Sequence, residues 1–178
     1  MSCNGLDAAT LEGIRSGTQQ VFRCPVEITQ DLSIPPTAYN SSRRQYLAST
    51  VLRAVRSMPA TEYDRVVCLT DVDLYVPGLN FVFGQADLGG HAAVVSLHRL
   101  RQEYYDLQAD TALFLERAVK EVVHELGHTF GLPHCPDLRC VMHFSNSLAD
   151  TDRKEAHFCD RCRPRLLAGA WQDADQGG

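Results

Sequence analysis

Tyrosine stops at Tyr105, tryptophan occurs once and methionine three times in these 178 residues. No apolar stretch approaches the roughly 18 residues needed to span a bilayer, so no membrane partner is expected. A basic excess is also missing: 17 Lys and Arg stand against 22 Asp and Glu, a formal net charge of -5. Nucleic acid is therefore not expected as a partner. The opening "MSCNGLDAATLEGIRSG" has no basic start followed by an apolar run, so a secretory leader is not expected and a cytoplasmic monomer is. There is no internal repeat and no low-complexity segment. Hydrophobic residues make up 44% of the chain and charged residues 22%, a globular balance at a length that suits one domain (1–178) with a real core.

What the sequence does hold is a concentration of metal-binding side chains. The segment "VVHELGHTFGLPHCPDLRCVM", residues 122–142, carries three histidines, two cysteines and two acids among apolar residues. His124 and His128 are four apart, which on an α-helix places both imidazoles on one face, one turn apart. Glu125 falls beside that pair, where a carboxylate can take a proton from a zinc-bound water. His134 lies too far round to be reached by continuing the helix. Gly131 resolves this, because glycine accepts positive φ and lets the helix end in a sharp turn. Three neutral imidazoles suit zinc and leave a fourth position open, the pattern of a catalytic site.

A second ligand set follows. Seven cysteines are an odd number, so complete internal pairing is not expected. Cys135 and Cys140, then Cys159 and Cys162 in "CDRC", are two short-spaced pairs joined by an 18-residue loop. That is the spacing of a closed, four-thiolate structural zinc site, with two disulfides or four free thiols as the alternatives. Such a site would staple a C-terminal subdomain (132–178) of little periodicity. Two zinc ions are thus expected. Cys3, Cys24 and Cys68 are read as loose or buried thiols without a role, and His91, His98, His143 and His157 as surface or structural residues.

Upstream, strands are predicted at 21–30, 65–75, 80–87 and 91–100, and helices at 40–58, capped by Asn40 or Ser41 and stopped by Pro59, and at 110–132, capped by Asp110. Gly84 within the third strand points to a bulge or a close backbone approach. The order describes an α/β (α+β) fold. A mixed, twisted sheet of about four strands has a backing helix and an active-site helix in residues 1–131, and an irregular tail ends in "ADQGG".

The histidine string resembles the metzincin clan of zinc peptidases, and this resemblance implies that Met142 forms a Met-turn beneath the metal. With the cysteines included, His-Glu-x-x-His-x-x-Gly-x-x-His-Cys, then Cys140-x-Met142 and Cys159-x-x-Cys162, the sequence is similar to the archaemetzincin family. Softer similarity runs through "AYNSSRRQY", "LTDVDLY", "NFVFGQAD" and "VVSLHRL". One departure is that 16 residues separate Met142 from Cys159, one fewer than is usual in the family. The resemblance implies a metzincin-like fold and a zinc metallopeptidase with Glu125 as general base. It also implies that Phe81, Val82, Phe83, Gly84, Gln85 and Ala86 are a sheet edge to which a peptide or polypeptide substrate adds, with an edge strand that takes no partner as the alternative. Some metzincins place a tyrosine near the oxyanion after the Met-turn; none follows here, which leaves zinc, backbone donors or His143 for that task and predicts weak or narrow turnover. The competing readings are a zinc-bound but idle peptide-binding module, and an adaptor suggested by "RCRPR" (161–165). Glu125, which a binding module has no need of, favours the peptidase.

Overall fold

A computed structural model describes residues 2–3, 6–29, 32–58 and 65–174. Their elements run β1 (Ser2–Cys3), α1 (Ala8–Phe22), β2 (Tyr39–Asn40), β3 (Gln45–Leu47), α2 (Ala48–Arg56), β4 (Val66–Thr70), β5 (Leu74–Tyr75), β6 (Gly84–Ala86), β7 (Ala92–Ser96), α3 (Thr111–Thr129), α4 (Leu148–Arg153) and α5 (Cys162–Ala174). The main sheet has the order β1-β4-β7-β6, with β1 and β7 parallel to β4 and β6 antiparallel to β7 at the edge. A small second sheet, β2-β3-β5, flanks it. No described helix is long and apolar enough to cross a membrane.

Helices cover both faces of the sheet, so its inner strands are apolar throughout rather than alternating. Every residue of β7, "AAVVS", is buried. Val94 faces Val51, Leu52 and Val55 of α2, whereas its neighbour Val95 faces Phe114, Ala118 and Val122 of α3 and Ile14 of α1. Successive strand side chains point to opposite faces, so one strand serves two cores. Each fully buried Val or Leu contributes about 1.5–3 kcal/mol to that packing. A third core gathers the C-terminal segment: Leu132, Val141, Met142, Phe158 and Leu166 pack with Val123 of α3 and Phe22 of α1.

The α3 helix begins as expected: Asp110 accepts a hydrogen bond from Leu113 N–H at 2.9 Å. It ends at Thr129, and Gly131 takes φ 79° to turn the chain back. Elsewhere the elements differ from the sequence expectation. The segment read as a strand at 21–30 is instead the end of α1 followed by irregular chain with exposed Cys24. α1 itself was not expected. Its buried stripe is narrow, Thr10, Ile14 and Thr18, and Gly13 and Gly17 interrupt the pattern. The 40–58 helix starts only at Ala48. Residues 39–47 form a hairpin in which Asn40 Oδ1 accepts from Arg43 N–H at 3.1 Å, capping a turn rather than a helix.

The long strand at 65–75 is two short ones in different sheets, and those at 80–87 and 91–100 shorten to β6 and β7, the latter followed by a 3-10 turn at His98–Leu100. The tail is not irregular throughout, since it contains α4 and α5. Cys68 is no loose thiol: it is buried in β4 and disulfide-bonded. Pro59, Gln30, the last residues of "ADQGG" and the side chain of Cys3 lie outside the described residues.

Candidate metal centres and the cleft

The last two turns of α3 carry His124, Glu125 and His128 against one wall of a cleft of about 450 Å³, and the turn at Gly131 returns His134 to the same point. One ring nitrogen of each histidine lies within 4.8 Å of the others. The orientation is fixed from behind. His124 Nδ1 is 2.8 Å from the Val141 carbonyl, and His128 Nδ1 is 2.7 Å from that of Leu132. A carbonyl only accepts, so both Nδ1 atoms carry the proton and both Nε2 atoms present lone pairs. Those two Nε2 atoms are 3.1 Å apart. Two lone pairs facing each other repel unless a cation lies between them, and tetrahedral zinc at about 2.05 Å would place them about 3.3 Å apart. The donor set therefore fits zinc.

Burial pushes His124 well below the ordinary histidine pKa, aided by Lys154 and His128. His128 and His134 are lowered for the same first cause. All three are held in the neutral form that binds metal. Glu125 is buried, and burial raises its carboxyl to about 8, with Glu121 adding and Lys154 opposing. A divalent cation nearby favours the ionised form.

Two glycines make room for this arrangement. A β-carbon at Gly84 would lie 2.6 Å from Glu125 Cγ, 2.7 Å from its Oε1 and 2.7 Å from the Val94 carbonyl oxygen, so β6 crosses directly over Glu125. A β-carbon at Gly127 would lie 2.4 Å from Met142 Sδ, so Met142 packs beneath the helix because that position has no side chain. Met142 is fully buried, and its carbonyl accepts from Cys135 N–H at 2.8 Å.

The opposite wall is the β6 strand and its approach; Phe81 to Ala86 all line the cleft. Phe83, Gln85 and Asp87 face β7 with their backbone groups, as Ser96 N–H to Phe83 O at 2.7 Å and Asp87 N–H to Ala92 O at 3.0 Å show. By alternation Gly84 and Ala86 aim theirs outward. Val82 N–H is taken by Leu74 O at 3.0 Å. Behind this wall, the motifs quoted upstream converge. Arg43 donates to the carbonyls of Leu79 and Asn80, both at 3.0 Å, and Gln45 to Asn80 O at 2.9 Å and Asp73 Oδ2 at 3.0 Å. Arg99 grips Asp73 with two bonds of 2.7 Å and lies 4.5 Å over the Phe81 ring.

The four cysteines meet at one point, all Sγ atoms within 4.8 Å. Cys135 and Cys159 Sγ are 3.8 Å apart, and all four thiols are free. That spacing is far too long for a disulfide, at about 2.05 Å, and matches the edge of a tetrahedron with metal–sulfur bonds of about 2.3 Å, which is about 3.8 Å. Burial pushes Cys162 and Cys140 up. Cys159, although burial acts against it, falls to about 7 because the N–H groups of Cys162 and Arg161 point at its sulfur.

His143 does not line the cleft; its Nδ1 lies 3.0 Å from the Cys135 carbonyl. Glu121 and Lys154 are site-adjacent residues that the sequence reading passed over. Glu121 is one turn before Glu125, a spacing that could have drawn notice, but Lys154 sits in aperiodic sequence that gives no signal. A second cavity, about 430 Å³ between α1 and β4, holds none of the seven ligand candidates.

The family model "Peptidase family M54" matches residues 21–167. An archaemetzincin of Methanopyrus kandleri is 57% identical over 133 residues, 75% of this chain and 72% of that protein. The crystal structure of archaemetzincin from the same organism superposes with a TM-score of 0.85 at 44% identity, covering 95% of this chain and 92% of that one. A zinc-dependent peptidase from Methanocorpusculum labreanum does so with a TM-score of 0.82 at 31% identity, over 93% and 97% of the two chains. With a family match over most of its length and an α/β architecture in common with these structures, the chain belongs to peptidase family M54, the archaemetzincins, a family of zinc metallopeptidases.

Proposed function

We propose that this chain hydrolyses peptide bonds with Glu125 as general base, using one zinc held by His124, His128 and His134 and a second, structural zinc held by Cys135, Cys140, Cys159 and Cys162. The observation that carries the reading is Glu125 itself: a buried carboxyl in the cleft wall, beside the histidine nitrogens and under the β6 edge. Zinc, when bound, supplies Lewis acidity, polarising the scissile carbonyl and acidifying water. Glu125 then accepts the water proton on a carboxylate oxygen and returns it to the leaving amine. A substrate backbone adds to β6 in extended form. Its N–H and C=O groups meet the outward-facing groups of Gly84 and Ala86, which sets the scissile carbonyl against Glu125.

Met142 serves as the Met-turn, supporting the histidines from below through the space at Gly127. The chain acts as one monomeric, cytoplasmic domain with its cleft dividing 1–131 from 132–178. Turnover is weak or narrow. No tyrosine follows Tyr105, and losing one oxyanion donor costs about 100- to 1000-fold in other enzymes. The test is cleavage of a diverse peptide library by native protein, with chelator-treated protein and Glu125→Gln as controls. Chelator-sensitive, Glu125-dependent cleavage is expected. Its absence in a preparation holding both metals would leave a peptide-binding module in place of an enzyme.

A further inference from the structure

The cleft does not end at the histidines. One turn before Glu125 on the same helix, Glu121 also lines it, although its side chain is only 3% exposed. Its Oε1 accepts from Thr151 Oγ1 at 2.9 Å and lies 2.9 Å from Lys154 Nζ. Lys154 is 1% exposed, the largest fully buried side chain among the described residues. The contact is an ion pair, and the ammonium has no hydrogen-bond partner among the described residues. Both contacts use Oε1, and among the described residues no hydrogen bond reaches Oε2. Ser145 lines the same cleft with an unpartnered, buried hydroxyl, as Gln85 does with its Oε1.

We infer that Glu121, backed by Lys154, and Ser145 form a polar recess that selects a substrate side chain ending in a primary amide, asparagine or glutamine. This deepens the peptidase reading above and rests on its cleft. The chemistry excludes the neighbouring classes. An apolar side chain would bury Oε2 and the Ser145 hydroxyl without partners, which is costly for any polar group and more so for a carboxylate. A cationic side chain would find the Glu121 charge already balanced by Lys154 and would face the metal's positive charge close by, so it would be desolvated for little return. An acidic side chain would meet the carboxylate. An amide supplies N–H for Oε2 and a carbonyl for the Ser145 hydroxyl, with no net charge to bury. Glu121 and Lys154 are specificity-determining rather than catalytic: neither is assigned a proton transfer.

The test reads binding separately from turnover. Zinc-loaded Glu125→Gln protein is titrated with labelled peptides in matched pairs, glutamine against leucine at each position in turn. At one position the glutamine peptide should bind at least about tenfold more tightly, the lower range for a hydrogen bond to a charged acceptor. Adding Glu121→Leu and Lys154→Met together, which removes both charges without orphaning either, should bring that ratio to about one or invert it. Glu121→Gln, which keeps shape and tests the acceptor alone, should lower it as well; metal content and melting temperature verify that each variant folds. Equal affinities at every position, a ratio unchanged in both variants, or no binding of any peptide overturns the assignment. Selective binding in a protein whose native form never cleaves leaves the recess standing and removes only the peptidase reading; cleavage with no amide preference removes only the recess.

Discussion

Gly84→Ala is the substitution on which the cleft geometry depends most directly. The added carbon would meet three atoms at once: Glu125 Cγ at 2.6 Å, Glu125 Oε1 at 2.7 Å and the Val94 carbonyl oxygen at 2.7 Å. All three are closer than nonbonded carbon contacts allow, and they cannot all yield in the same way. Val94 belongs to β7, which is wholly buried and paired on both sides, so its carbonyl stays. Either Glu125 leaves its position or the edge strand β6 lifts from the ladder. Overpacking of this kind costs about 1–3 kcal/mol. For a domain of this length that is a fall in melting temperature of about 2–12 °C. The larger effect falls on catalysis. Displacing a reacting group or its substrate strand by about 1 Å costs on the order of 100-fold in turnover, whichever element moves. Steady-state cleavage of a peptide substrate, with thermal unfolding and metal analysis on the same preparation, checks both parts. Turnover within about threefold of native, with an unchanged melting temperature, would refute the claim that β6 lies on Glu125.

Glu125→Gln should keep its full metal content and lose turnover by at least about 100-fold, the range of a general base, as metal analysis and a peptide assay would show. Cys159→Ser should reduce bound zinc from two equivalents to one and destabilise the fold, because metal binding at a closed site is coupled to folding; unchanged stoichiometry would refute the four-cysteine site. Arg99→Lys, which cannot reproduce the paired 2.7 Å bonds to Asp73 or the stacking on Phe81, should cost about 1–3 kcal/mol in denaturant unfolding and raise KM more than it lowers kcat. Asp110→Ala removes the N-cap of α3 and should cost about 1 kcal/mol of stability without changing zinc content.

How far the sequence could be read depended on how local the determinants were. The three histidines and Gly131 were legible because helical spacing and one positive-φ glycine bring them together within eleven residues, and the cysteine pairs because tetrahedral ligation needs short spacings at each end of a loop. Gly84 was legible as a close approach, though not what it approached. α1 was not legible: its contribution to the core is a narrow stripe, and two glycines masked it. The start of α2 was misread because Asn40 can cap a turn as readily as a helix, and only the pairing of β2 with β3 decides between them. Short strands such as β5 and β6 have too few residues for alternation to show. Lys154 and Glu121 were invisible as a pair, since nothing in a sequence reports that a lysine 33 positions away will be buried against a given glutamate.

The two ligand sets are not independent parts that happen to be neighbours. His124 takes its orientation from the Val141 carbonyl, and Val141 lies between Cys140 and Met142 in the loop that the four thiols gather. The same loop is closed by Cys135 N–H on the Met142 carbonyl, and Cys135 follows His134 directly. Val141 N–H in turn bonds the His157 carbonyl at 2.9 Å, two residues before Cys159. A metal held by the cysteines would therefore fix the segment that aims one histidine and delivers another. Removing a hydrogen-bond partner of a metal-bound histidine costs about 10- to 100-fold in metal affinity elsewhere. The cysteine variants should consequently weaken zinc at the three histidines by a comparable factor, although no cysteine belongs to that ligand set. Competition titration with a chromophoric chelator, resolving the two sites in Cys159→Ser and in native protein, measures this; unaltered affinity at the histidines would show that α3 alone organises the site.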